Sequence, residues 1–294
     1  MITAAARNIE PLVASRGQTP SGIRAIGGFA ADCLAMELET WPKPGLVSHV
    51  DNGSHVDMDA GTFRRSAAAI RPYLQSLAEA GALGCGMGVL RVIGLEAERA
   101  MLEATAGVNT HCGAIFGLGL LCAAAGARAG GLVDPARPLG DVVARLWGAS
   151  ILDGPVLLHS HGSAARRRFR AGGARIEAAS GFPSVYRIGL PALRRTMPAT
   201  PEDAEAARVE ACFALIASVE DTNLLHRGGL EGLRFARRAA RRFIDAGGVR
   251  APGWRVSARW IHESFVARLR ARHSRKTGFW TQMAERVSGG GSRR

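Results

Sequence analysis

The sequence predicts an all-α protein, a single multi-helix domain around a buried central helix. Three observations lead there. Apolar residues recur at helical spacing in one segment after another, while no stretch alternates with a period of two for long. No strand–helix–strand unit and no solenoid-length repeat is evident. The longest apolar run, Cys112 to Ala125, is too short to span a bilayer and reads as a fully buried helix.

The elements follow in order. Residues 1–20 contain Pro11, Gly17 and Pro20 and are expected to form a loose tail. From Ser21 to Thr40, Ile23, Ile26, Ala30, Cys33, Leu34 and Leu38 mark one helix face, and Trp41-Pro42 ends it. A second helix is expected from Asp57 or Asp59 to Ala80, with Phe63, Ala67, Ile70, Leu74 and Leu77 inward. Either aspartate suits its N-cap, and Pro72 should kink or split it. Residues 86–105 form a third amphipathic segment, and Gly107-Val-Asn-Thr-His111 leads into the buried run. Residues 139–151 read as helical. Thr200-Pro201-Glu202-Asp203 has the form of a helix start, with threonine as the cap. That helix should deliver Glu220-Asp221 at its C-terminal end, where a carboxylate opposes the dipole. A last helix runs from about Leu224 through Phe243, and Arg237, Arg238, Arg241 and Arg242 make a solvated basic stripe on it. The domain is thus expected to cover residues 21–272, with 273–294 a disordered tail.

Composition bounds the chemistry. The chain has 294 residues, 47% of them hydrophobic, enough for a core that needs no disulfide or metal. Net charge is +13, nearly all from arginine. A GC-rich genome writes arginine for lysine, and a polyanionic ligand selects it; composition does not separate the two. Cys33, Cys85, Cys112, Cys122 and Cys212 form no C-x-x-C pair and read as free thiols in a reducing compartment. The stretch through Gln18 lacks the continuous apolar core of a signal peptide. A soluble, cytoplasmic protein is expected. No Walker loop, dinucleotide fingerprint or nucleophile elbow is found.

The stretch 41–59 carries the chemistry. It is too polar and too broken by Pro and Gly for a helix, yet Trp41, Leu46, Val47, Val50 and Val56 can anchor it. His49, Asp51, His55, Asp57 and Asp59 crowd within it, and Lys43 is one of only two lysines in the chain. Asn109, Thr110 and His111 are expected at a helix N-terminus, where amides face anions or are simply capped. His159-x-His161 is a weak metal pair. Arg166, Arg167, Arg168, Arg170 and Arg175 could fork onto phosphates or form a wet face.

Four stretches in this order resemble one family. They are Pro42-Lys-Pro-Gly-Leu-Val47 with Asp51-Asn-Gly-Ser-His-Val-Asp-Met-Asp59; Gly107 to Phe116; Gly173-Ala-Arg-Ile-Glu-Ala178 with Gly181-Phe-Pro183; and Asp221-Thr-Asn-Leu-Leu-His-Arg-Gly-Gly229. The chain resembles the triphosphoribosyl-dephospho-CoA synthases over about residues 21–270. The Leu46-Val-Ser-His-Val50 form is closer to the malonate decarboxylase branch than to the citrate lyase branch. The resemblance implies an all-helical enzyme that joins ATP to 3′-dephospho-CoA with loss of adenine. The product would pass towards a malonate decarboxylase acyl-carrier subunit.

On that resemblance, Asp57, Asp59 and Asp221 are assigned to Mg²⁺ and triphosphate, and Lys43, Arg175 and Arg227 to phosphate. Asn52, Asn109, Thr110 and His111 would orient ribose or base, and Asp57, Glu177 or His55 would carry protons. Two departures stand out. Cys112 follows Asn-Thr-His where the family carries Lys or Arg, and no Ser-Pro-Gly-Gly-Ser-Ala-Asp-Leu-Leu stretch closes the chain after Arg272. A frameshift or altered stop would produce the second. The rival readings are a basic helical nucleic-acid binder, which leaves the acids of 41–59 unexplained, and a nucleoside or ADP-ribose hydrolase with water as acceptor.

Overall fold

The structure, a computed structural model, describes residues 20–155, 173–200 and 202–269. Among them there is no strand. Helices α1 (Pro20–Leu38), α2 (Ala60–Ala82), α3 (Met87–Ala104), α4 (Cys112–Ala129) and α5 (Leu139–Asp153) come first. Then follow α6 (Gly173–Ala179), a π turn (Val185–Gly189), α7 (Leu190–Thr196), α8 (Ala204–Ser218) and α9 (Thr222–Asp245). Residues 254–269 are helical and form α10. The expected N-terminal tail through Thr19, the His159/His161 pair, Arg166 to Arg170 and the tail from 270 onward lie outside the described residues.

The buried run becomes α4, which touches α1, α2, α3, α5 and α6. By length and composition alone it could cross a membrane; here it is a core helix. Its closest neighbour is α2, and small residues set that distance. A Cβ on Gly81 would lie 1.9 Å from the Ala123 carbonyl oxygen, and one on Gly126 would lie 1.8 Å from that of Ala78. The register Ser66–His111, Gly81–Ala123 and Ala82–Gly130 rises together on both helices. α2 and α4 therefore run parallel, with both N-termini at one end of the bundle, and α3 returns the chain between them.

Two apolar clusters result. One gathers Ile23, Ile70, Leu74, Met101, Leu120, Val143 and Trp147 from α1 to α5. The other gathers Val209, Phe213, Phe243, Ile261 and Phe265 from α8 to α10, with the Phe213 and Phe243 rings 4.1 Å apart. Loop 41–59 lies where helices of the two clusters meet: it leaves α1, enters α2, and is hydrogen-bonded to α8 and α10.

Three local expectations need correction. Pro72 lies inside a single α2, because α1, α3 and α4 pack along that helix and hold it across the missing amide. The cap of α8 is Asp203, whose Oδ1 accepts from Ala206 N at 3.0 Å; Thr200 instead turns its hydroxyl to the Thr196 carbonyl. Asp221 is not at the trailing end of α8, which stops at Ser218, but at the start of α9. Helix α9 breaks at Gly229, whose φ of 63° favours glycine.

The α2–α4 contact makes a paired prediction. Gly126→Ala should destabilise the protein by about 3 kcal/mol in urea unfolding, since the methyl meets backbone that cannot turn aside. Gly94→Ala, on α3 with nothing within 4 Å of its Cβ, should instead stabilise it by roughly 0.5–1 kcal/mol.

Candidate active site

Lys43 is the buried anchor of the loop, at 2% exposure. Its ammonium donates to the Glu37 carbonyl and to Glu37 Oε1, both at 2.6 Å. The Glu37 carbonyl is among the last of α1, where helical C=O groups lack partners and the dipole favours a cation. On α8, burial pushes the Cys212 thiol up to about 12 although the Lys43 charge opposes it. Lys43 thus holds the loop to α1 rather than standing ready for phosphate.

Beyond Lys43 the chain makes two compact turns. Ser48 Oγ accepts from the amides of Val50 and Asp51, and Ser54 Oγ donates to the Gly45 carbonyl at 2.8 Å. Asp51 accepts from Gly53 N at 2.7 Å and from the Trp41 indole at 3.2 Å. The Trp41 amide reaches Glu205 of α8 at 3.0 Å. The exposed segment Asn52, Val56, Asp57 is presented outward from this base. His55 Nδ1 lies 3.6 Å from Asp57 Oδ1, and the Asp57 side chain is 58% exposed.

The loop ends on α2. Asp59 caps it, accepting from the Thr62 amide and the Thr62 hydroxyl, each at 2.7 Å. The Thr62 amide bond is the main reason its carboxyl sits below the usual range, and the Arg65 charge adds to it. One turn on, Ser66 is fully buried. It accepts from Thr110 Oγ1 at 2.7 Å and contacts His111 Nδ1 at 2.6 Å. The Phe63 ring meets His111 edge-on at 4.9 Å. Burial lowers the His111 pKa to about 4, so the ring is neutral at neutral pH. Asn109 Oδ1 accepts from Cys112 N at 3.2 Å and so takes up the first amide of α4, whose N-cap position is His111. Asp57, Asp59, Thr62, Arg65, Ser66, Thr110 and His111 therefore share the end of the bundle where α2 and α4 begin.

Other candidates have local work. Cys112 donates its thiol to Glu98 at 2.9 Å, and burial with that contact pushes it up to about 12. Arg175, expected on phosphate, instead closes the end of α5: its guanidinium donates to the carbonyls of Ile151, Leu152, Gly154 and Pro155. Glu177 Oε1 accepts from the amide and hydroxyl of Ser184 and so fixes the turn after α6. Asp221 Oδ1 accepts from Leu224 N at 3.1 Å and caps α9. The Arg227 side chain lies outside the described residues. Among the described residues no three His, Cys, Asp or Glu side chains are placed to hold a metal ion. The expected Asp57/Asp59/Asp221 metal set is thus not assembled, since Asp59 and Asp221 each cap a different helix.

Sequence reasoning passed over Ser66, Arg65 and His262. Ser66 and His262 had a signal: each is a polar residue set into an apolar helical stripe, between Phe63 and Ile70 and between Ile261 and Phe265. Arg65 had none.

The buried histidine predicts a pH dependence. Its folded pKa of about 4 lies below the ordinary histidine value of 6.5, so on acidification the unfolded chain takes the proton first. Stability from this group is complete above pH ~7 and lost as pH falls through ~4, on the order of 3 kcal/mol. His111→Asn should flatten that part of the urea-unfolding profile between pH 7 and 4.

With this geometry in place, comparison with known proteins is informative. Residues 23–270 match the family described as ATP:dephospho-CoA triphosphoribosyl transferase. The chain is 40% identical over 231 residues to a protein of Pseudomonas aeruginosa (strain UCBPP-PA14), covering 76% of each chain. It is 37% identical over 258 residues to one of Pseudomonas syringae pv. tomato, covering 85% of this chain and 86% of the relative. A Vibrio cholerae relative is 37% identical over 246 residues, covering 80% and 78%. All three carry the name "Probable 2-(5''-triphosphoribosyl)-3'-dephosphocoenzyme-A synthase". No solved structure matches the chain. A match over this length, at this identity to several relatives, means that the chain belongs to the ATP:dephospho-CoA triphosphoribosyl transferase family.

Proposed function

We propose that the chain transfers the triphosphoribosyl group of ATP to 3′-dephospho-CoA and releases adenine, at the end of the bundle where α2 and α4 begin. The observation that carries this reading is that the loop bearing the half-buried His55 and the exposed Asp57 runs into α2, whose first turns are tied through Ser66 to Thr110 and His111 at the start of α4. The bond between ribose C1′ and N9 of ATP breaks, and the ribose 2′-oxygen of dephospho-CoA bonds to the same carbon. The hydroxyl proton leaves to a base and adenine takes a proton at nitrogen. Charge builds on the ribose as an oxocarbenium-like centre, as in glycoside hydrolysis. Asp57, solvent-reachable and beside His55, is the base of this reading, and His55 relays the proton.

The start of α4 suits the triphosphate. It has no acid in its first turn, Asn109 on its first amide is uncharged, and His111 is neutral at pH 7. The Glu98 carboxylate on α3 meets the first residue of α4 through the Cys112 thiol and offsets part of its dipole, whereas Asp59 caps α2 directly. Arg65 supplies a nearby cation, and Arg227 remains part of the proposal. Mg²⁺ belongs to it as the companion of the triphosphate. The Leu46–Val50 motif supports the malonate decarboxylase acyl-carrier as the destination of the product in the cytoplasm.

Incubation with ATP, Mg²⁺ and dephospho-CoA should release free adenine and give an adduct whose mass is that of the two substrates together less adenine. Adenine appearing equally without dephospho-CoA would make the chain a hydrolase instead. Asp57→Asn should lower turnover by about 100-fold or more with little change in Tm, because the side chain supports no other part of the fold that its exposure would betray. Undiminished turnover would remove Asp57 from the reaction.

A further inference from the structure

We infer that His262 is a positioning residue for this reaction, acting through Asp51 and the backbone of Lys43. It stands on α10, far along the chain from the loop, and is 3% exposed. Its Nδ1 lies 2.6 Å from the Lys43 carbonyl oxygen, and its Nε2 lies 3.1 Å from Asp51 Oδ1. A carbonyl can only accept, so Nδ1 donates to it; an ionised Asp51 can only accept, so the full bridge has a hydrogen on both nitrogens. The charged groups facing this ring from the packed elements are Asp51 itself and, through Trp41, Glu205 of α8 with its partner Arg255; the Lys43–Glu37 pair lies behind the carbonyl.

The bridge pins the chain at both ends of a turn, Lys43 and Asp51. The residues that follow at once are Asn52, His55 and Asp57. Asp51 passes the restraint on, since it also accepts from Gly53 N and the Trp41 indole. Placement of reacting groups to within an ångström decides rate, so a restraint here acts on chemistry it does not touch. The inference rests on reading loop 41–59 as part of the active site.

Two isosteres separate the arms. His262→Asn keeps a donor at the position of Nδ1 and loses the Asp51 arm; His262→Gln keeps the Asp51 arm and loses the Lys43 one. In the adenine-release assay each should lower kcat per folded molecule about tenfold, with KM within a few-fold of wild type. Adding Asp51→Asn to His262→Asn should cost less than the sum of the two single changes, because they share one contact; the remainder is the Trp41 indole bond, which an amide NH2 cannot accept. Hydrogen exchange gives a reading independent of activity: the amides of Val50, Asp51 and Gly53 should exchange about tenfold faster in His262→Asn, while those of α2 keep their wild-type rates. Unchanged kcat with unchanged loop exchange would overturn the inference. So would a loss of turnover fully accounted for by the folded fraction as Tm falls, with kcat per folded molecule unchanged, the mark of a purely structural residue. Wild-type protein that releases no adenine would sink the proposed function instead, and the exchange rates would still decide whether His262 orders the loop.

Discussion

A single ammonium, that of Lys43, is buried where helix α1 runs out, and the rest of the loop is arranged by what that charge requires. Removing a cation from water costs several kcal/mol, and only close acceptors offset it. Glu37 supplies two, one from its side chain and one from a helix end that lacks partners of its own. Because Glu37 is on α1, the loop must double back beneath the helix it has just left. That fold-back turns the Lys43 carbonyl towards α10, where His262 takes it, and sets Trp41 against α8. The polar layer between the two apolar clusters is thus organised from one buried charge outward.

The helices were legible because burial is periodic. Core residues such as Ile70, Leu74 and Leu77 recur on one face whatever they pack against, so spacing alone reveals α2. Pro72 misled because propensity speaks for an isolated helix, and α2 is held on several sides. Asp221 misled for a smaller reason: a break at Val219 turns a helix end into a helix start, and the sign of its dipole interaction reverses. The site was less legible. Trp41 meets Glu205 and Lys43 meets His262 across more than half the chain, and no local pattern records such pairings.

Family motifs compound that difficulty, because a motif names positions and not tasks. Arg175 and Glu177 lie in one of the matching stretches, and both hold backbone: one gathers the carbonyls of α5, the other fixes the turn at Ser184. A guanidinium shared among four carbonyls is a strong local restraint and a poor candidate for a mobile phosphate clamp. Lys43 has the same character. Residue types suited to ligand chemistry are equally suited to closing helix ends, since both tasks need charge beside unpaired backbone groups.

What remains available for chemistry then follows by subtraction. Of the loop's acids, Asp51 is bound to Trp41, Gly53 and His262, and Asp59 is bound to Thr62. Asp57 alone among them is more than half exposed with only a histidine at 3.6 Å. The parallel course of α2 and α4 brings two helix N-termini to its side of the bundle, and the difference between their caps divides the labour. Asp59 caps α2 with its own carboxylate, whereas α4 carries no acid in its first turn and meets the Glu98 carboxylate through the Cys112 thiol. In the proposed reading the anion sits at α4 and the proton acceptor at the loop beside α2. That separation is what a transfer between a triphosphate-bearing sugar and an incoming hydroxyl needs. If the two helices ran antiparallel, the same residues would face opposite ends of the bundle and neither proposed role could assist the other; the small residues at Gly81 and Gly126 that let the pair lie close are thus part of the geometry on which the proposed site depends, although they lie far along both helices from it.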